Sequence, residues 1–167
     1  MQNSSHLFNY TYTNNLLEAI MLVKNLLQKK GTEIYSVTPD NTVYEAIEKM
    51  AELDIGALVV MSNESLQGII SERDYRNKVI LKGRASRTTS VKDIMSDKVV
   101  CVTPDDSVNL CMQLMTDKRI RHLPVLGEGK LVGVISIGDV VKSVIEHQKN
   151  EIDSLRDYIT SGSGYPG

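Results

Sequence analysis

Residues 35–74, YSVTPDNTVYEAIEKMAELDIGALVVMSNESLQGIISERD, realign without a gap on residues 100–139, VCVTPDDSVNLCMQLMTDKRIRHLPVLGEGKLVGVISIGD, at a constant offset of 65. Fourteen of the 40 paired positions are identical, among them Thr38/Thr103, Pro39/Pro104, Asp40/Asp105, Ser71/Ser136 and Asp74/Asp139. Others exchange like for like, such as Asn41/Asp106, Thr42/Ser107 and Ile69/Val134. A repeat of this length implies a supersecondary unit that cannot bury its apolar face alone and packs on its copy. The chain therefore reads as two pseudo-symmetric halves.

Each copy is predicted to be β-α-β-β-α. ThrProAsp closes a short strand, because Pro39 and Pro104 cannot donate to a ladder and push the preceding residue to extended geometry. Thr42 and Ser107 then cap the next helices. Those helices carry apolar faces of Val43, Ala46, Ile47, Met50 and Leu53 in the first copy, and Val108, Cys111, Met112 and Met115 in the second. Apolar runs at 57–61 and 123–126, each followed by a polar turn and a second apolar run, read as hairpins. A last helix begins near Glu72 in one copy and near Ile137 in the other. Such alternation predicts an α/β (α+β layered) fold.

Outside the repeat, Leu16 to Lys30 shows helical spacing with Gly31 as a stop. The linker 83–99 carries one helical turn around 91–95. The final helix is expected to run past the second copy, with Ile145, Ile152, Leu155 and Ile159 near one face. A projecting helix with an apolar stripe calls for a partner, self-association being the first reading. The expected division is a disordered leader at 1–14, a first unit with its leading helix at 15–82, the linker at 83–99, a second unit at 100–147, a helical extension at 148–160 and a disordered tail at 161–167.

Apolar residues make up 41% of the 167, enough for a core, but there is no Trp and one Phe, so packing rests on Val, Ile, Leu and Met. The net charge of −2 argues against a general nucleic-acid binder. Cys101 and Cys111 form no CxxC pair, and Cys111 stands where the first copy has Ala46. They read as small buried apolar residues in a reducing, cytoplasmic setting. No apolar run approaches the ~20 residues that span a bilayer. The start lacks the basic and apolar regions of a signal peptide.

The paired ValThrProAsp starts, IleArgHisLeuProVal at 120–125, and the endings GlyIleIleSerGluArgAsp (68–74) and GlyValIleSerIleGlyAsp (133–139) resemble the cystathionine β-synthase (CBS) domain. The pair resembles a Bateman module of the stand-alone bacterial type, over roughly residues 15–147. That resemblance implies two CBS units packed together, with extra N-terminal and C-terminal helices. It also implies one or two clefts that bind adenosine nucleotides: AMP, ADP, ATP or NAD.

Ser71, Asp74, Ser136 and Asp139 would then set a hydroxyl and a carboxylate at a strand-to-helix junction. There a carboxylate accepts from ribose hydroxyls, and helix-start N–H groups suit a phosphate. Arg73 and Arg121 are the better phosphate forks, with His122 a further candidate. Thr38 and Thr103 would add hydroxyl contacts, and the backbone of Ile55, Gly56 and Ala57 and of Ile120, Arg121, His122 and Leu123 would border the base. Gly138 would let a ligand approach the backbone. Plainer roles stand beside these: Asp74 and Asp139 as helix caps, worth ~1 kcal/mol, the arginines as surface ion-pair residues, and His122 as a satisfied histidine.

The copies differ at Gly56-Ala57 against Arg121-His122 and at Glu72-Arg73 against Ile137-Gly138, so two unequal clefts are expected. No nucleophile with a paired base, metal-ligand cluster or P-loop is legible. The expectation is a regulatory nucleotide-binding homodimer that acts on a partner enzyme or transporter, with no catalysis and no metal. The alternative is a ligand-free scaffold docking a partner through the C-terminal helix.

Overall fold

The structure is a computed structural model that describes residues 21–161, with side chains to residue 160. The leader, residues 16–20 of the expected leading helix and the tail from 162 lie outside the described residues. Two compact units are present. One, here the helical unit, holds residues 21–30, 105–121 and 136–161; the other, the sheet unit, holds Gly31–Pro104 and His122–Ile135.

The sheet unit is built from β1 (Ser36–Val37), α2 (Val43–Leu53), β2 (Ala57–Ser62), β3 (Ser65–Ser71), α3 (Glu72–Lys78), β4 (His122–Gly127) and β5 (Lys130–Ser136). β1 pairs parallel with β2, and β2 antiparallel with β3; β4 and β5 form a second sheet. Each copy thus contributes one small sheet. In the second copy the strand expected before ThrProAsp shrinks to a single bridge, Val102 with Val125.

Both hairpins turn on two residues of positive φ, Asn63 and Glu64 in one and Glu128 and Gly129 in the other. That left-handed pair is the turn whose twist matches the flanking strands. α2 begins with a capping box: the Thr42 side chain accepts from the Glu45 N–H while the Glu45 carboxylate accepts from the Thr42 N–H at 2.6 Å. The helix ends at Asp54 in the left-handed region, and Arg119 ends the equivalent helix in the same way.

Val43, Ala46 and Met50 of α2 bury against Leu58, Val60 and Ile70 of the strands and against Val79, Val91 and Ile94. Gly68 admits the chain at 95–96. A methyl there would lie 2.8 Å from Met95 Sδ and 2.9 Å from the Ser96 carbonyl oxygen.

The helical unit holds α1 (Val23–Lys30), α4 (Val108–Lys118) and α5 (Ile137–Ser161). The leading helix, expected to be continuous across residue 21, is not helical at Met21 and Leu22. The chain here bridges to the second copy: Val108 N–H donates to Met21 O at 2.8 Å and Val23 N–H to Asp106 O at 2.9 Å. In the sheet unit the same bonds recur around the first copy, Val43 N–H to Thr89 O at 2.9 Å and Val91 N–H to Asn41 O at 2.8 Å. So α1 serves the second copy as the turn at 91–94 serves the first. Val23, Leu26 and Leu27 on α1, Val108, Cys111 and Met115 on α4 and Val140 on α5 are buried.

Candidate functional site

The strand-to-helix junction at the end of β3 lies in the sheet unit. Ser71 leaves the strand with extended φ and ψ and caps α3. Asp74 Oδ2 accepts from the Ser71 N–H at 3.0 Å and from the Ser71 hydroxyl at 2.7 Å, and Asp74 Oδ1 lies 2.8 Å from Lys78 Nζ. Lys78 also donates to the Ile94 carbonyl at 2.7 Å, tying the junction to the buried turn behind it. The Asp74 side chain is only 14% exposed, so no more than one edge of it meets solvent.

The helix-start N–H groups expected to meet a phosphate are partly spent. Glu72 N–H donates to the Gly56 carbonyl at 3.1 Å, and Asp74 N–H to the Ser71 hydroxyl at 3.4 Å. Gly56 faces two side chains: a methyl built on it would sit 3.5 Å from Glu72 Oε2 and 3.5 Å from His122 Cε1. The junction therefore brings Gly56, Glu72 and His122 together. Sequence reasoning singled out the glycine and the histidine but missed Glu72. Its one signal was the mismatch with Ile137 in the second copy.

The second junction lies in the helical unit and repeats the pattern. Asp139 Oδ2 accepts from the Ser136 N–H at 2.7 Å and the Ser136 hydroxyl at 2.9 Å, and Ile137 N–H donates to the Arg121 carbonyl at 2.8 Å. Here the cation comes from another helix, Lys30 Nζ of α1 at 2.5 Å from Asp139 Oδ2. Burial pushes the Asp139 carboxyl up, but the Lys30 ammonium with the Ser136 N–H and hydroxyl outweighs it and holds the carboxyl below its ordinary value. In both copies, then, the aspartate closes a capping box with the serine, and it also keeps a cation beside the junction.

The other expected contacts are distributed between the units. Thr38, Ile55, Ala57, Arg73, Thr103 and Leu123 belong to the sheet unit, and Ile120, Arg121 and Gly138 to the helical unit. Thr38 is exposed, and both its N–H and its hydroxyl donate to Asn41 Oδ1, at 2.8 and 2.9 Å. Thr103, Arg73, Arg121 and Gly138 are exposed, whereas the Leu123 side chain is fully buried, so only its backbone can border a ligand.

Arg87, in the segment expected to be a linker, stacks 3.7 Å over the Tyr44 ring. An open cavity of about 200 Å³ beside it is lined by Tyr44, Ile47, Glu48, Ala51, Tyr75 and Ser86, none of them an expected site residue.

Both cysteines are unpaired. Burial, with Asp106 nearby, pushes the Cys111 thiol up to about 11, and burial also raises Cys101. Among the described residues, no group of three or more His, Cys, Asp or Glu could hold a metal ion. No described helix is long and apolar enough to cross a membrane.

Known proteins share this architecture. The family model of the CBS domain matches residues 23–80 and again residues 91–146. The mitochondrial CBS domain-containing protein CBSX3 of Arabidopsis thaliana is 46% identical over 130 residues, covering 75% of this chain and 63% of the relative. The chain thus spans less than two thirds of that relative's length. A solved CBS-domain containing protein of Agrobacterium tumefaciens is 40% identical, with a TM-score of 0.71 over 74% of this chain and 98% of the other. A CBS domain pair solved in complex with 5′-methylthioadenosine and S-adenosyl-L-methionine shares the fold at 21% identity, with a TM-score of 0.65 over 73% of this chain and 98% of that one.

Proposed function

The chain belongs to the CBS domain family and carries two copies of its unit, and on that premise we propose that it is a regulatory module that binds an adenosine nucleotide. CBS domain pairs are regulatory rather than catalytic, and adenosine compounds are their ligand class. The finer reading is AMP, ADP, ATP or NAD as ligand, in a homodimer that reports energy or redox state to a partner enzyme or transporter in the cytoplasm.

The observation that carries this reading is the duplicated junction. In each copy a Ser-x-x-Asp capping box and a loop carbonyl bonded to the first helical N–H fix a carboxylate at the strand end. A ribose diol donates to such a carboxylate, and the neighbouring cations, Lys78 and Lys30, suit a phosphate. In this reading the exposed Arg73 and Arg121 supply further phosphate contacts, and the Gly56–Glu72–His122 face receives the base or ribose of one ligand.

The ligand-free scaffold is retained as a second reading on one observation. On α5, Ile145, Ile152, Leu155 and Ile159 are at least half exposed. Thermal unfolding of the full chain with AMP, ADP, ATP and NAD separates the two. A ligand at 100 times its Kd that binds only the folded form stabilises it by about 2.7 kcal/mol, a readily measured rise in Tm. Asp74→Ala and Asp139→Ala, each judged against its own ligand-free Tm, should shrink that rise at the matching junction. No rise with any of the four nucleotides sinks the nucleotide reading and leaves the scaffold.

A further inference from the structure

α5 continues as one helix to Ser161, and its exposed apolar residues follow a stricter rule than one-sided amphipathicity. Val141, Ile145, Gln148, Ile152, Leu155 and Ile159 are spaced 4, 3, 4, 3 and 4 apart. This is the a/d alternation of a coiled-coil seam, with Ile145, Ile152 and Ile159 at a and Val141, Gln148 and Leu155 at d. The five apolar members are between 46% and 69% exposed. Val140, by contrast, is fully buried within the helical unit. The seam is therefore a face distinct from the one α5 already packs.

We propose that this seam pairs with the same seam of a second copy of the chain as a parallel, in-register, two-stranded coiled coil. Three observations select that occupant. Ile fills all three a positions and Leu155 one of the three d positions, and β-branched a with Leu at d is the pattern that favours two parallel strands. The flanking charges agree, because Glu151 at g faces Arg156 at e of the neighbouring helix when the strands run parallel, and the pair forms twice by symmetry. An antiparallel pair would instead set e against e, bringing Lys149 and Arg156 together.

Gln148 supplies the register. At a buried seam position its amide finds a partner when it meets the same residue across the axis, the role a lone polar core residue plays in fixing alignment. Within its own helix Glu151 is 3.8 Å from His147, and Arg156 is 3.8 Å from Asp153. These are loose contacts that a pair across the seam can replace.

Disulfide trapping in the full chain tests the arrangement, using Ile145→Cys, Ile159→Cys and, on the opposite face, Asn150→Cys, with wild type as the baseline for Cys101 and Cys111. The expected result is a covalent homodimer for Ile145→Cys and for Ile159→Cys alone, and none above baseline for Asn150→Cys. Adding Ile152→Asp to Ile159→Cys should abolish the trap while the far-ultraviolet helical signal of the sheet and helical units persists. Trapping of Ile145→Cys only when it is mixed with a Leu155→Cys variant would mean antiparallel strands, in which a positions face d positions, and overturn the proposal. So would equal trapping at 150, or no trapping at either seam position.

Discussion

At the residue scale the two aspartates show how one sequence signal serves structure and chemistry together. Asp74 and Asp139 occupy the same place in their copies and close the same capping box, yet their cations differ: Lys78 from the same helix in one, Lys30 from α1 in the other. The capping boxes were legible, since a Ser followed three residues later by an acidic residue is a local pattern. Lys30 was not, because it lies 109 residues away and only the packing of α1 against α5 brings it near.

A pH dependence follows, with the sign fixed by the depressed carboxyl of Asp139. Its contribution is complete above the unfolded carboxylate value of about 3.9 and is lost as pH falls toward the lower folded value. Lys30→Met removes the cation, so its acid unfolding transition, followed by circular dichroism, should move to higher pH than that of wild type. An unchanged acid midpoint would show that the ion pair contributes nothing to folding.

Among the elements, α2 and α4 share their plan and differ in detail. Both start at an N-cap hydroxyl and stop at a left-handed residue that is not glycine, and both bury three of the apolar positions the sequence marked, while Ile47, Leu53 and Met112 are only half-buried. Only α2 has the reciprocal capping box, because Leu110 stands where the first copy has Glu45. Thr42→Ala should therefore cost about 1 kcal/mol of stability in denaturant unfolding. Met50→Ala, which empties a site only 2% exposed in the core, should cost 2–5 kcal/mol, roughly the large-to-small core range. If the two variants lost equal stability, the core assignment of α2 would be mistaken. The elements hardest to read were the short ones. The second copy's first strand is a single bridge, and Met21 and Leu22 leave the helical pattern where a bridge pairs Leu22 with Ser107 of the second copy.

On the scale of the whole molecule, the expectation that the copies are unequal rests on positions that the structure sets at the junctions. Glu72 and His122 border Gly56 in the sheet unit, while Ile137 and the Lys30-bound Asp139 mark the helical unit. Titration calorimetry with one nucleotide should accordingly give two phases or a single filled site, and two equal sites would refute the asymmetry. The sequence alone determined the repeat, the order of elements within it, the caps, the hairpin turns and the family, because each depends on residues within one turn of helix or one hairpin, or on similarity along the chain. Only the tertiary structure decided which segments share a unit, that α1 serves the second copy, that Glu72 joins Gly56 and His122, and that Lys30 holds Asp139. Those contacts join residues tens of positions apart, where burial and hydrogen-bond satisfaction rather than local pattern choose the partner.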